Sequence, residues 1–225
     1  MSSAALIDVS PFRLSGVAYG TLLNHCSTLE ALGDTVHRTP YIDPPKAPIL
    51  YVKPRNTFVA PYHPVVVPRE ARELEVGACL GIVIGRPACR VVESDALDHV
   101  AGFVIVNDIS IPHDSFYRPA VSLNARDSFC PIGSFVRREL VADPDQLSIR
   151  VFVDGDLKLQ ASTRDVVRRC ARLLADVTDF MTLNPGDVLA TGAPWPAPRV
   201  RAGQVSRIEI GEIGALQTSF VAAGT

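Results

Sequence analysis

The apolar residues of this chain fall mostly in short runs. Leu80, Ile82, Val83 and Ile84, closed by Gly85, make one, and Phe103 to Val106, followed by Asn107 and Asp108, make another. Apolar runs of this length bounded by turn residues predict central, fully buried strands. Ser148 to Val153 alternates in polarity and is rich in β-branched residues, and Asp154-Gly155 then supplies the two positions that a tight hairpin turn requires. A hairpin into Leu157 and Leu159 is expected. Val205 to Ile210 alternates again, and Gly211 and Gly214 precede a strand-like segment from Leu216 to Val221. The clearest helical period starts after Ser162 or Thr163: Val166, Val167, Cys170, Leu173, Leu174, Val177 and Met181 recur with Arg168, Arg169 and Arg172 between them, and it stops before Asn184-Pro185-Gly186. Between Tyr41 and Pro68 the density of proline predicts extended strand and loop. Strands dominate, with a few helices inserted and no regular βαβ alternation, so the fold class expected is α+β.

Composition narrows the function. At 225 residues the chain is long enough for one domain with a real core. Its 22 Lys and Arg against 24 Asp and Glu, spread along the chain, leave a net charge of −2 and no basic field for nucleic acid. No apolar stretch approaches the roughly 20 residues of a membrane span, and Met1 to Asp8 lacks a basic segment leading into an apolar one. A cytoplasmic protein is expected. Five cysteines, an odd number with no C-x-x-C pair, argue against a disulfide framework and a structural zinc site. A mean hydropathy of +0.19 with 20% charged residues leaves little polar material for a monomer's surface, so a dimer or larger assembly is expected.

Candidate chemistry concentrates between Asn107 and Gly133, where Asp108, His113, Asp114, Arg118, Arg126 and Asp127 crowd around Pro112, Pro119 and Pro131. A carboxylate at the end of a buried strand either holds a hard cation or closes the following turn, and Asp108 is open to both readings. Arg118 and Arg126 are able to grip a carboxylate through a two-pronged fork, or to pair with Asp114 and Asp127. Lys53, Arg55 and Asn56 form a second basic patch near Tyr51, suited to an anion or to a solvated loop. His25, at the start of a short helix-like segment, is either a general base or structural.

Lys53-Pro54-Arg55-Asn56-Thr57, Asn107-Asp108-Ile109-Ser110, Ser115-Phe116-Tyr117-Arg118-Pro119, Arg126-Asp127-Ser128-Phe129-Cys130-Pro131-Ile132-Gly133 and Leu183-Asn184-Pro185-Gly186-Asp187 together resemble the fumarylacetoacetate hydrolase family. Within it, the Tyr-Arg-Pro element and the run from Phe180 to Gly192 are most similar to the branch that isomerises and decarboxylates intermediates of homoprotocatechuate (4-hydroxyphenylacetate) breakdown. That branch has two related halves, fused or separate, and this chain resembles the N-terminal half. The resemblance implies a mixed β-sheet roll or partly open barrel over about residues 46–225, with a small cap segment over about 1–45. It implies a 2-oxo dicarboxylate or tricarboxylate as ligand, with Lys53, Arg55, Arg118, Arg126 and Asp127 as substrate-binding residues.

Family members hold Mg²⁺ or Mn²⁺ with a Glu-x-Glu and an Asp, which stabilises the enolate left when a 2-oxo acid loses carbon dioxide or a proton. Asp108 matches the third ligand, but Gly77 and Cys79 stand where the two glutamates belong. The His-x-x-Glu acid–base pair falls at Thr28 and Ala31, and Asn124 stands where the family has a lysine. The resemblance therefore implies a subunit that does not bind the metal alone and pairs with a copy of itself or with a metal-bearing sister. A hydrolase of acylpyruvate-like 2-oxo acids and a non-catalytic scaffold or binding protein are the alternatives.

Overall fold

The computed structural model describes residues 8–9, 12–59, 63–113 and 120–224. Two sheets carry the fold. The first contains β1 (Ala18–Leu22), β2 (Ile49–Lys53), β4 (Ala78–Ile84), β5 (Val100–Asn107), β6 (Val136–Arg137) and β9 (Val188–Ala190), in the order β6-β5-β4-β9-β1-β2. The second contains β3 (Val65–Val67), β7 (Ser148–Val153), β8 (Asp156–Ser162), β10 (Val205–Ile210) and β11 (Gly214–Ala222), in the order β8-β7-β10-β11-β3. Pairing is mixed: β9 runs parallel to β1 and β11 parallel to β3, and the remaining neighbours in both sheets are antiparallel. This is the α+β arrangement of mixed sheets with few helices, and neither sheet closes into a barrel.

β4 shows why its sequence is apolar without alternation. Leu80, Ile82 and Ile84 pack with Phe103, Ile105, Ile149, Val151, Ile208 and Phe220 in the large core. Cys79 and Val83 face the other way, into a smaller cluster with Val104, Val106, Ile132 and Val188. A strand covered on both faces has no side to keep polar. β7 and β8 form the expected hairpin, with Asp154 at φ 50° and Gly155 at φ 89° making the left-handed turn.

The helix is shorter than the apolar period suggests. α2 spans Cys170–Thr178, burying Cys170, Leu173, Leu174 and Val177. Residues 167 and 168 are claimed instead by Asn24, whose side chain accepts from Arg168 N–H at 3.0 Å and donates to Arg168 O at 3.1 Å, while Val167 N–H donates to Asn24 O at 2.7 Å. His25 and Val166 form a β-bridge. Backbone groups held in these long-range bonds cannot also serve a helix, so α2 starts at Cys170, whose N–H is capped by Asp145 Oδ1 at 2.9 Å.

Candidate functional site

Alternation along β2 puts Tyr51 and Lys53 on one face, both buried, with Val52 exposed between them. The Lys53 ammonium donates to the carbonyls of Ile109, Asn124 and Phe129 at 2.6, 2.7 and 3.1 Å and lies 2.8 Å from Asp108 Oδ1. The last approach is a charge contact, since Oδ1 receives no aligned hydrogen bond. The Tyr51 hydroxyl donates to the other carboxylate oxygen. Gly20, opposite Tyr51 across the β1–β2 pair, makes this possible: a Cβ there would sit 2.0 Å from the Tyr51 ring. Burial, opposed in part by the neighbouring Cys130 and Cys79, lowers the Lys53 ammonium to about 8, and burial raises the Asp108 carboxyl to about 7. Their 2.8 Å approach favours the ionised form of both groups against burial, and the Tyr51 bond favours the ionised carboxylate.

Asp108 opens onto a cleft of about 740 Å³, solvent included. Its lining combines polar Tyr51, Glu75, Asp108, Ser110, His113 and Asn124 with apolar Leu22, Leu23, Ala193, Pro194 and Trp195. α1 (Cys26–Leu32) contributes Thr28, whose hydroxyl donates to Ala193 O at 3.3 Å, and Ser27, whose hydroxyl accepts from the Trp195 N–H at 2.8 Å. Glu75 is 6% exposed, receives the Ser110 hydroxyl at 3.5 Å and lies 3.6 Å from the Arg199 guanidinium.

The residues singled out in the sequence are dispersed. Lys53 lies beneath the cleft, reaching it through Asp108. The Arg55 guanidinium donates to Ser15 O at 3.3 Å, and Asp127 Oδ1 accepts from Asn56 at 2.8 Å. Arg126 pairs with Glu70 at 2.6 Å and donates to Ser122 O at 2.7 Å, on a surface separate from the cleft lining. Arg118 lies outside the described residues. His25 caps α1 by accepting from Ser27 N–H through Nδ1, burial lowers its pKa, and it does not line the cleft. Glu75, Thr21 and Trp195 were not singled out. Period-two spacing is the available signal for Glu75, which stands two residues before Gly77.

The donor set does not fit a divalent cation. Gly77 offers no ligand, and a Cβ there would fall 2.4 Å from Asp108 O. Burial pushes the Cys79 thiol up to about 12, so it stays protonated at neutral pH and is no thiolate ligand. Asp108 is already paired with a fixed ammonium. Among the described residues, no group of three or more His, Cys, Asp or Glu side chains is placed to hold a metal.

Comparison with known proteins agrees with the architecture. The chain is 35% identical over 195 residues to the 4-hydroxyphenylacetate degradation bifunctional isomerase/decarboxylase of Escherichia coli, an alignment covering 87% of this chain and 44% of that protein. It is 35% identical over 188 residues to a mitochondrial oxaloacetate tautomerase of Xenopus laevis, covering 79% of this chain and 59% of that one. The chain thus spans about half the length of the curated relatives it matches. The structure superposes on 5-carboxymethyl-2-hydroxymuconate delta-isomerase from Mycobacterium smegmatis with a TM-score of 0.79 at 27% identity, covering 94% of this chain and 81% of that one. For fold alone, it matches fumarylpyruvate hydrolase from Pseudomonas aeruginosa in complex with Mn²⁺ and pyruvate, with a TM-score of 0.80 at 22% identity, 94% of this chain and 91% of that one. The profile of the fumarylacetoacetate (FAA) hydrolase C-terminal domain matches residues 17–221, and the chain belongs to the fumarylacetoacetate hydrolase family.

Proposed function

We propose that this chain is the half of an isomerase/decarboxylase of 4-hydroxyphenylacetate breakdown that does not bind metal, with a 2-oxo dicarboxylate or tricarboxylate as the enzyme's substrate. One observation carries the reading: the cleft keeps Asp108 but ties it to Lys53 and Tyr51, with Gly77 and Cys79 where carboxylates would complete a metal site. The same donor set disfavours a hydrolase that activates water on a metal. Turnover then requires a metal-bearing partner, a sister half related to this one, with which a pseudo-symmetric pair is geometrically natural.

The test is to purify the chain alone and with a metal-bearing sister domain, and to follow decarboxylation and isomerisation with Mg²⁺ present. The expected result is turnover by the mixture and little by the isolated chain, with a heavier species in sedimentation when both are present. Equal activity of the isolated chain would overturn the reading, as would a 24.3 kDa species that gains no partner on mixing.

A further inference from the structure

The hydrogen bonds around buried His25 fix where its proton sits. Nδ1 receives the Ser27 backbone N–H at 3.4 Å, a group that only donates, so Nδ1 carries no proton. The Ser27 hydroxyl lies 2.8 Å from the same nitrogen and already accepts the Trp195 N–H at 2.8 Å, so its own proton points at Nδ1. One line of donors therefore runs from the Trp195 backbone through Ser27 to His25. The proton of the neutral ring is on Nε2, which is buried and has no hydrogen-bond partner among the described residues.

That line ties a segment of the cleft lining to the first turn of α1. Ser27 holds Trp195, and Thr28, the next residue, donates to Ala193 O at 3.3 Å. The same turn is fixed from the other side, where Cys26 N–H donates to Asp165 O at 2.8 Å and His25 forms its β-bridge with Val166. His25 thus stands between residues 165–166 and residues 193–195. A proton added at Nδ1 would set a donor against the Ser27 N–H and against the serine hydroxyl's proton. The cap is then lost, since an N–H of the first helical turn has no acceptor within the helix, and the serine hydroxyl must turn its proton elsewhere.

Burial disfavours the imidazolium, whereas the Ser162 carbonyl and the Asp165 and Glu30 carboxylates facing the ring favour it. Burial is the larger effect, so the ring is neutral at pH 7 and charges only below its ordinary 6.5.

We propose that His25 is a positioning residue: its neutral ring, acting through Ser27, holds Trp195 and the adjoining cleft lining in place, and its protonation releases them. The lining is therefore held at neutral and higher pH and loosens on acidification. This goes beyond the proposed function, and it is read without substrate, metal or sister subunit, so its failure is separable from failure of the turnover assay.

Trp195 is the chain's one tryptophan, so its emission reports this segment directly. Titration of the isolated chain from about pH 8 to about pH 5 spans the range in which a histidine charges. The expected result is a reversible single-proton step with its midpoint below 6.5, moving the emission to longer wavelength as the indole gains water, with far-UV circular dichroism retained. His25→Asn keeps an acceptor at the cap but takes up no proton. It is expected to hold the neutral-pH emission of the parent and to lose the step. Ser27→Ala cuts the link and is also expected to lose the step, and it carries the test should His25→Asn fail to fold. His113 lines the cleft as well, so His113→Gln is expected to keep the step. Two-bond ¹⁵N–¹H correlation is expected to find the neutral His25 ring protonated at Nε2. The proposal is overturned by a step that persists in His25→Asn or Ser27→Ala, that vanishes in His113→Gln, or that coincides with loss of circular dichroism. Absence of any step in the parent would overturn it too, as would a neutral ring protonated at Nδ1.

Discussion

Lys53 and Asp108 are legible as residues but not as a pair. The sequence places Lys53 in a basic patch and Asp108 at a strand end; only packing brings the ammonium within 2.8 Å of the carboxylate and under three carbonyls. Removing one partner of a buried pair leaves the other charge uncompensated, at a cost of about 3–5 kcal/mol. Lys53→Met is therefore expected to lose stability of that order in urea unfolding at neutral pH, with part recovered in Lys53→Met/Asp108→Asn. The pH dependence has a definite sign. Asp108 without its cation keeps a folded pKa raised by burial, which puts it at about 7 against an ordinary 3.8. A raised carboxyl stabilises the fold while protonated and loses that contribution as pH rises. The deficit of Lys53→Met should thus be smallest below about pH 4 and widen as pH rises through about 7. A deficit that shrinks over that range would contradict the assignment.

At the scale of elements, β2 reaches the site because β1 gives way to it. The register Gly20↔Tyr51 lays an aromatic ring over a glycine and aims the hydroxyl across the sheet into Asp108. Gly20→Ala would place its methyl group 2.0 Å from that ring, well inside contact distance. Overpacking of this kind typically costs about 1–3 kcal/mol. We expect Gly20→Ala to destabilise by that amount in chemical denaturation and Gly20→Ala/Tyr51→Ala to cost less than the sum of its single changes; strict additivity would show that the two positions do not meet. β4, β5 and the β7–β8 hairpin are readable beforehand because strand length, alternation and the Asp154-Gly155 turn are local properties. α2 is misjudged in length because Asn24, 144 residues before Arg168, takes the backbone of 167 and 168 out of the helix.

Across the whole molecule, one apolar core spans both sheets: Leu80, Ile82 and Phe103 of the first pack in the same cluster as Ile149, Val151, Ile208 and Phe220 of the second. Neither sheet buries that face without the other. Scanning calorimetry of the chain is expected to show one cooperative transition with calorimetric and van't Hoff enthalpies in agreement. Two resolved transitions would mean that the sheets are separate units. The amino-acid sequence by itself determined the strand-rich class, the family through its ordered motifs, and the absence of the Glu-x-Glu carboxylates, because periodicity, turn chemistry and ligand types are written residue by residue. Tertiary structure alone decided that Arg55 and Arg126 bind Ser15 and Glu70 instead of lining the cleft, that Glu75 and Trp195 do line it, and which hydroxyls there have already spent their protons. Those outcomes depend on which groups meet across long stretches of chain, and a hydrogen-bond donor's role is fixed only by the acceptor that the fold sets in front of it.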